Sequence, residues 1–242
     1  DGVYGFAGGV GVRATMAGRR DTHVRLHGPV VDEMAAAFER SWSMTAAGKR
    51  IFGFSRPFTT TSEFMLLTNS PKFKQRFTYW TLVRMFRGAR KYIYITTPYF
   101  VPDWRIFRAL KGAARRGVDV RVMVPNSPDW RLVRFGNSSF YSRAMKSGIK
   151  IFEFGPEFNH AKTCVIDDSW ACVGSTNMDS LSLLFNYEAD IASTNKRFIE
   201  EMKWQFIEDS KRTTLIEYLA WHHRPFWHKL VEQLVRPLHR FM

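Results

Sequence analysis

The sequence predicts an α/β fold in which helices flank a mostly parallel β-sheet, and three observations support that class. β-rich and helical runs alternate through the middle of the chain, aromatic residues make up 15%, and only 24% of residues are charged. The alternation is typical of sheets covered by helices, and the composition is that of a packed globular protein. The 242 residues provide one large domain or two small ones.

Hydrophobic periodicity and turn residues define the individual elements. In chain order we predict a strand at 92–100, a helix at 103–117, a strand at 118–125, a looser helix at 129–148 and a strand at 149–154. Asp103 lies near the start of the first of these helices and Gly117 lies past its end, as helix boundaries favour. Further along, 194–212 is an amphipathic helix capped by Thr194 or Asn195, and 213–242 contains one or two short helices rich in Trp and His.

The positive charge of the chain is concentrated in one segment. The formal net charge is +14, yet residues 72–150 contain 18 Lys/Arg against three Asp, so the rest of the chain is close to neutral. These basic residues are interleaved with aromatic residues. One interpretation is a solvated helix face, and the other is a surface for a polyanion, either nucleic acid phosphates or anionic lipid headgroups. Charge alone does not separate nucleic acid from lipid.

Composition argues against a membrane-spanning helix within this chain and against a metal centre. The longest stretches without a charged residue, 2–12 and 92–102, have 11 residues, which is too short to cross a bilayer. Two cysteines are too few for a disulfide framework and favour a reducing compartment. Cys164 and Cys172 are predicted to be small buried side chains, with a disulfide or zinc pair as alternatives. No metal site is predicted among the tail histidines His222, His223, His228 and His239, because no ligand spacing recurs among them.

The stretch HAKTCVIDDSWACVGSTN, residues 160–177, combines groups suited to phosphate chemistry. In a strand, His160 and Lys162 share one face because they are two residues apart. Ser175 is predicted to lie where a helix begins, with Asn177 just inside it, so that backbone N–H groups form an anion pocket. Imidazole, ammonium and anion pocket together predict a phosphate site with a nucleophile or an acid. The alternative is an ordinary hairpin beside a structural histidine.

The pattern H-x-K-x4-D-x6-G-S-x-N resembles the signature of the phospholipase D superfamily. Its six defining positions are His160, Lys162, Asp167, Gly174, Ser175 and Asn177. Glu188, in NYEADI, matches the acidic residue that supports a catalytic His in this superfamily. The resemblance implies a phospholipase D-like sandwich. It also implies catalytic roles for His160, Lys162, Asp167 and Glu188, and phosphate binding by Gly174, Ser175 and Asn177.

Four segments of the sequence resemble the corresponding segments of bacterial cardiolipin synthases of the phospholipase D type. They are residues 18–31, 95–103, 118–125 and 154–179. Members of the superfamily normally carry two motifs. Asp1, followed after six residues by Gly8 and Gly9, resembles the end of a first motif, with Gly11 where Asn is expected. By the spacing of the second motif, the missing His and Lys would lie seven and five residues before Asp1. We therefore expect the C-terminal part of a longer protein, with Asp21 as the acidic partner of the first half.

The resemblance also implies a domain organisation of one complete repeat plus the end of another. On this hypothesis, residues 1–50 are the remnant of a first repeat and 51–75 are a linker and first strand. Residues 76–212 are the second repeat with its complete motif, and 213–242 are a helical tail rich in aromatic and basic residues.

The implied activity is a phosphatidyl transfer that makes cardiolipin from phosphatidylglycerol through a phosphohistidine intermediate. One imidazole attacks the phosphodiester, and the other, expected to be His160, acts as general acid and then base. No cofactor is expected, and the fragment alone is expected to be inactive. The implied partners are phosphatidylglycerol, a membrane surface and the missing N-terminal half. The implied location is the cytoplasmic face of a bacterial membrane, with upstream membrane helices an open possibility.

Two other functions stay open at the level of sequence. One is a phospholipase D-type nuclease or other phosphodiesterase, which the positive charge and the motif both permit, although the family blocks make nucleic acid a poor fit. The other is a catalytically degenerate membrane-binding relative, which Gly11 would favour.

Overall fold

The computed structural model describes residues 2–11, 18–46, 63–71, 76–126 and 131–225. Three sequence predictions fall outside these residues: the role of Asp1, most of the segment 51–75, and the tail beyond residue 225. Within 51–75, residues 64–69 form a strand.

Twelve strands and seven helices make up the described residues. The strands are β1 (Tyr4–Gly8), β2 (His23–His27), β3 (Phe64–Asn69), β4 (Tyr92–Thr96), β5 (Phe100–Val101), β6 (Asp119–Pro125), β7 (Lys150–Phe154), β8 (Thr163–Ile166), β9 (Trp170–Gly174), β10 (Met178–Asp179), β11 (Glu188–Ser193) and β12 (Thr213–Leu215). The helices are α1 (Pro29–Ala46), α2 (Phe77–Gly88), α3 (Trp104–Arg115), α4 (Arg131–Met145), α5 (Ser180–Leu184), α6 (Lys196–Ser210) and α7 (Tyr218–His222).

Eight strands form one sheet in the order β12-β7-β6-β4-β8-β9-β11-β3. The predicted α/β class is confirmed, but the prediction of a mostly parallel sheet is wrong. Only the pairings of β4 with β6 and of β6 with β7 are parallel, and the other five are antiparallel. Helical crossovers connect the parallel strands, whereas a three-residue turn joins β8 to β9, and so short a connection permits only an antiparallel pair.

Helices cover both faces of this sheet. On one face, α2, α3 and α4 pack on side chains such as Ile93, Ile95 and Val122. On the other face, α1 and α6 pack on the alternate positions of the strands, including Tyr94 and Val165. The separate hairpin of β1 and β2 contributes Leu26 to this second core. The alternation of side chains along each strand therefore builds two cores, one per face.

Local sequence signals fix several element ends as predicted. Asp103 caps α3 by accepting hydrogen bonds from the backbone N–H groups of Arg105 and Ile106, and Gly117 follows the helix with a φ of +88°. Asn195, rather than Thr194, caps α6. Such capping bonds satisfy N–H groups that have no partner inside the helix.

The segment after residue 212 differs from the predicted helical tail at its start. Thr213–Leu215 form β12, an edge strand paired with β7. The short helix α7 follows, and its Trp221 packs on Tyr141 of α4 with ring centroids 5.0 Å apart. In the part of the chain that the structure describes, no helix has the length and apolarity needed to cross a membrane.

Candidate phosphoryl-transfer site

The site begins with a backbone contact between two distant segments. The amide of Arg20 donates to the carbonyl of Phe158 at 3.0 Å, and the amide of His160 donates to the carbonyl of Arg20 at 2.7 Å. The guanidinium of Arg20 also forms a bidentate ion pair with Asp209 of α6, at 3.0 and 2.7 Å. This pairing holds the segment before β2 against the start of the 160–177 motif, and so brings Asp21 to His160.

His160 is held through one ring nitrogen. Its Nδ1 lies 2.9 Å from Asp21 Oδ2 and 3.1 Å from the carbonyl oxygen of Gly9. Because both neighbours are acceptors, Nδ1 carries the hydrogen, which leaves Nε2 to exchange protons or attack an electrophile. The side chains of His160 and Asp21 are only 17% and 10% exposed. A carboxylate that orients an imidazole in this way also stabilises its protonated form.

Asp21 stays ionised despite its burial. Burial by itself would raise the pKa of Asp21, but hydrogen bonds from His160 and the Thr22 amide, together with the charge of Lys162, lower it below its usual value. A Cβ added at Gly9 would lie 2.6 Å from Asp21 Oδ1, and one added at Gly8 would lie 2.3 Å from the carbonyl oxygen of Thr22. The two glycines therefore permit the close approach of β1 to the Asp21 segment.

Lys162 supplies a buried positive charge beside His160. Its Nζ donates to the carbonyl oxygen of His160 at 2.5 Å, and the residue is 7% exposed. Burial lowers the pKa of Lys162 to about 8, although the nearby Asp21 and Glu188 carboxylates act in the opposite direction. Both carboxylates are thus close enough to influence the ammonium group electrostatically.

Ser175 and Glu188 form a second polar pair in the site. Ser175 Oγ donates to Glu188 Oε2 at 2.5 Å. Burial, together with the charge of Asp190, raises the pKa of Glu188 to about 7 against the hydrogen bond from Ser175. Asn177 Nδ2 donates to Ser182 Oγ at 3.2 Å, and Asn177 Oδ1 is buried without a partner among the described residues. That oxygen requires a donor, as a protonated phosphate or a hydroxyl substrate would provide.

The predicted anion pocket at a helix start is not present at Ser175. The helix begins at Ser180, with Asp179 as its cap, after a two-residue strand. The amides of Ser175 and Thr176 are used elsewhere, since they donate to the carbonyl of Ala189 and to Asp190 Oδ1. A Cβ at Gly174 would lie 2.2 Å from Asp190 Oδ1, so glycine allows β9 and β11 to approach. Side chains, rather than amides at a helix start, therefore supply the polar groups of this site.

The two acidic residues do not have the partners predicted for them. Asp21, which we predicted to serve the first half, holds His160 of the second motif. Glu188, which we predicted to support a catalytic His, accepts from Ser175 and Asn186 and from no imidazole of the described residues. The two carboxylates occupy equivalent positions in their strand pairs. Asp21 lies two residues before His23, which is opposite Gly8. Glu188 lies two residues before Asp190, which is opposite Gly174.

Asp167 lies away from this site, which corrects its predicted catalytic role. It occupies the turn at the far end of β8 from His160, with a φ of +54°. Its carboxylate accepts hydrogen bonds from the amides of Arg90, Lys91 and Tyr92 at 2.6, 2.7 and 2.9 Å. The motif aspartate therefore fixes the β8–β9 turn to the start of β4.

Sequence reasoning missed Asp190, a fully buried residue that shapes the site. Its carboxylate accepts from Thr176 Oγ1 at 2.5 Å and from Thr78 Oγ1 of α2 at 3.0 Å. Burial raises the pKa of Asp190 despite these hydrogen bonds. An acidic residue in the middle of the apolar run of β11 was the available signal, because a buried carboxylate needs donors. Its partners could not be read from the sequence.

An apolar cavity of about 460 Å³ opens beside Ser175 and Glu188. It lies between the β1–α1 part and the strands β3 and β11, of which β3 is the edge strand. Its apolar lining includes Phe6, Met34, Phe38 and Leu66. A cavity of this size and lining suits a hydrocarbon group next to the polar site.

Cys164 and Cys172 pair directly across β8 and β9 as free thiols, and both are buried as predicted. Among the residues that the structure describes, no group of three or more His, Cys, Asp or Glu is arranged to hold a metal ion.

Comparisons with known proteins identify the family of the chain. A family model described as cardiolipin synthase, phospholipase D-like domain, matches residues 82–210. A cardiolipin synthase of Listeria innocua is 32% identical over 250 aligned residues, which cover 98% of this chain and 52% of the relative. The chain thus spans about half the length of the curated relatives it matches.

Two solved structures share the fold. A phosphatidylserine synthase of Haemophilus influenzae superposes with a TM-score of 0.71 at 12% identity, over 92% of this chain and 62% of that one. Nuc of Salmonella typhimurium, a phospholipase D family member, superposes with a TM-score of 0.54 at 18% identity, over 64% of this chain and 99% of that one.

Proposed function

The chain belongs to the cardiolipin synthase family of phospholipase D-like domains, and on that premise we propose that it supplies half of a phosphatidyltransferase site. The proposed reaction makes cardiolipin and glycerol from two molecules of phosphatidylglycerol. The observation that carries the proposal is the hydrogen bond of His160 Nδ1 to the ionised Asp21, with the Lys162 ammonium beside it. This arrangement provides a proton-exchanging imidazole next to a fixed positive charge.

In the first half-reaction, an imidazole nitrogen forms a bond to phosphorus and the bond from phosphorus to the glycerol oxygen breaks. Protonated His160 gives its proton to the departing oxygen, which leaves as glycerol. In the second, neutral His160 takes the proton from a hydroxyl of another phosphatidylglycerol, whose oxygen then displaces the imidazole from phosphorus. Asp21 stabilises the protonated state of His160, and Lys162 stabilises the charge on the phosphoryl oxygens.

The attacking imidazole is proposed to come from an H-x-K motif in the N-terminal half of the same protein. Two observations support this. Glu188 accepts no imidazole hydrogen bond within the described residues, and its strand register matches that of Asp21, which does accept one. Glu188 is therefore suited to hold the second imidazole as Asp21 holds His160.

A lipid substrate is favoured over nucleic acid by the apolar cavity beside Ser175 and Glu188, because bases and sugars carry polar groups that such a lining leaves unpaired. The proposed partner is an anionic phospholipid in a membrane surface. We place the reaction at the cytoplasmic face of a bacterial membrane, which the free thiols of Cys164 and Cys172 support.

The test is phosphatidyl transfer by the full-length protein in phosphatidylglycerol vesicles. His160→Ala is expected to abolish cardiolipin formation. Asp21→Asn is expected to lower it by about 10²- to 10⁴-fold, because the amide no longer fixes the tautomer and charge of the imidazole. Asp32→Asn, an exposed change on α1, is the matched control and should retain activity. Wild-type turnover by His160→Ala would refute the site, and DNA cleavage without lipid turnover would refute the substrate.

A further inference from the structure

The two helical layers of the protein differ in charge. The helices α2, α3 and α4 together contain nine Arg and Lys and, over residues 77–88, 104–115 and 131–145, no Asp or Glu. In the opposite layer, α1 and α6 contain seven acidic and four basic residues. The β1–β2 hairpin contributes to the core on that opposite side of the sheet. The basic layer is thus a separate face of the molecule.

One stripe of α3 concentrates this charge. Trp104, Arg108, Lys111 and Arg115 follow one another at intervals of four, three and four residues, so they lie along one side of the helix. Neighbouring like charges at this spacing are unfavourable for a helix. No described Asp or Glu forms an ion pair with Arg108, Lys111 or Arg115. Repulsion among these cations destabilises the helix, and no ion pair with a described carboxylate offsets it. The stripe therefore points to an anion from outside the protein.

A cavity of about 430 Å³ lies along this stripe, between α3 and α4. Arg108, Lys111 and Arg115 line it from α3, and Arg143 lines it from α4. The guanidinium of Arg143 lies 4.4 Å from the centroid of the Phe107 ring, which forms part of the wall. Four cations therefore line one open groove on the surface of this layer.

Gly112 makes room in this cavity. It lies in the middle of α3, where glycine is a poor helix former, and it lines the cavity. A Cβ added there would have one close neighbour, Arg116 Nη1 at 3.6 Å, which is ordinary contact. The helix itself therefore accepts a side chain at this position, and a large one would occupy the cavity.

We propose that this cavity binds the phosphate headgroup of an anionic phospholipid in the bilayer, apart from the lipid that reacts. Trp104, 58% exposed at the rim, is the residue type that settles at the boundary of headgroups and acyl chains. Val101, just before α3, pairs with Asp179 in the strand that follows Asn177. A lipid bound here would therefore hold the transfer site at the membrane surface. The choice of a lipid rests on the proposed function.

The experiment compares two double variants of equal charge in sedimentation with phosphatidylcholine vesicles that contain phosphatidylglycerol. Arg108→Gln/Arg115→Gln removes two exposed cations that line the cavity, whereas Arg84→Gln/Arg87→Gln removes two exposed cations of α2 in the same layer that do not line it. The first should weaken binding about tenfold or more, and the second should weaken it clearly less. Equal losses would overturn the proposal, because they indicate a diffuse attraction.

A charge-preserving pair makes the test independent of electrostatics. Gly112→Leu fills the cavity and should weaken vesicle binding by a similar factor, whereas Gly112→Ala should bind like the wild type. Thermal unfolding of each variant reports whether it is folded. Unchanged binding by a folded Gly112→Leu would contradict a specific headgroup site.

Further measurements distinguish a lipid headgroup from free phosphate and from nucleic acid, and distinguish this cavity from the transfer site. Soluble inorganic phosphate should compete only weakly, and duplex DNA should not distinguish the two double variants. A selective loss of DNA binding by Arg108→Gln/Arg115→Gln would instead assign the cavity to nucleic acid. His160→Ala should bind vesicles like the wild type. If the wild type made no cardiolipin while the pattern of vesicle binding held, the proposed function alone would fail.

Discussion

Asp21 and Glu188, the two carboxylates of the site, lie in opposite electrostatic situations. Asp21 receives hydrogen bonds from an imidazole and an amide, and its pKa lies below the usual value. Glu188 is buried with a serine hydroxyl as a strong donor, and its pKa lies at about 7. Burial raises the pKa of both, so the difference lies in the hydrogen-bond donors and in the neighbouring charges, Lys162 beside Asp21 and Asp190 beside Glu188. A second imidazole at Glu188 would supply the donor that Asp21 already has.

The raised pKa of Glu188 predicts a pH-dependent cost of folding. An unfolded glutamate titrates near 4.5, whereas folded Glu188 titrates near 7. Below pH 4.5 both states are protonated and there is no penalty; between pH 4.5 and 7 the penalty develops as pH rises. Glu188→Gln should therefore raise the free energy of unfolding at pH 8 by up to about 3 kcal/mol more than at pH 4.5.

Urea unfolding of the 242-residue chain at the two pH values measures this difference. Glu39→Gln, an exposed change on α1, is the control and should shift stability equally at both. An equal effect of Glu188→Gln at pH 4.5 and 8 would show that the carboxyl group titrates normally.

Among the elements, the β8–β9 hairpin connects the motif to the rest of the sheet. It carries Lys162 before its first strand and Ser175 after its second, and its turn carries Asp167 and Asp168, both with positive φ. Asp168 accepts from Tyr92 Oη at 2.5 Å and from Lys203 of α6 at 2.6 Å. The turn is therefore tied to β4 and to α6, at the opposite end of β8 from the chemistry.

If Asp167 is an anchor of this turn, its loss should reduce stability rather than catalysis. Asp167→Ala removes the acceptor of three amides and places alanine at a positive φ, so the free energy of unfolding should fall by about 2–4 kcal/mol. Asp167→Asn, which keeps an acceptor and tolerates this φ, should lose less. Transfer per folded molecule should stay near the wild-type value in both. A loss of transfer at unchanged stability would restore the catalytic role.

At the scale of the whole molecule, one side of the described chain exposes large apolar side chains. Phe6 of β1 is 61% exposed, and Phe38 and Trp42 of α1 are 60% and 64% exposed with their rings stacked at 5.8 Å. The apolar cavity beside Glu188 opens on the same side. Exposed apolar surface of this kind marks an interaction site. On the proposed function, an N-terminal half of the protein covers this side.

This arrangement predicts that residues 1–242 alone make no cardiolipin and that the N-terminal half restores transfer, linked or as a separate chain. A two-imidazole mechanism needs one imidazole held by Asp21 and a second held by Glu188. The described residues supply only the first of these pairs, His160 with Asp21. Binding should also shift the Trp emission to shorter wavelength as Trp42 becomes buried. The control is an N-terminal half whose H-x-K histidine is replaced by alanine, which should bind without restoring activity. Robust transfer by the 242-residue chain would instead indicate a site shared between two copies.

The sequence by itself determined the features that depend on local chemistry. β-rich composition identified β4, alternating hydrophobicity identified β6, and the order of elements led to β7. The Asp103 cap and Gly117 marked the ends of α3, because these signals act over a few residues. The spacing of His160, Lys162, Ser175 and Asn177 identified the family, since a fixed set of side chains is readable without coordinates. The concentration of positive charge in 72–150 was likewise visible, although the placement of nine of these cations in one helical layer was not.

Only the tertiary structure decided which residues face one another. Asp21 and His160 are 139 positions apart, and their contact depends on the backbone pairing of Arg20 with 158–160. Strand order likewise decides two other features. The strands β8, β9, β11 and β3 join the sheet in antiparallel orientation, and Asp167 lies at the far end of β8. Periodicity reveals which face of a strand is buried, but it carries no information about the neighbouring strand. The partners of each side chain in the site are set by those long-range pairings.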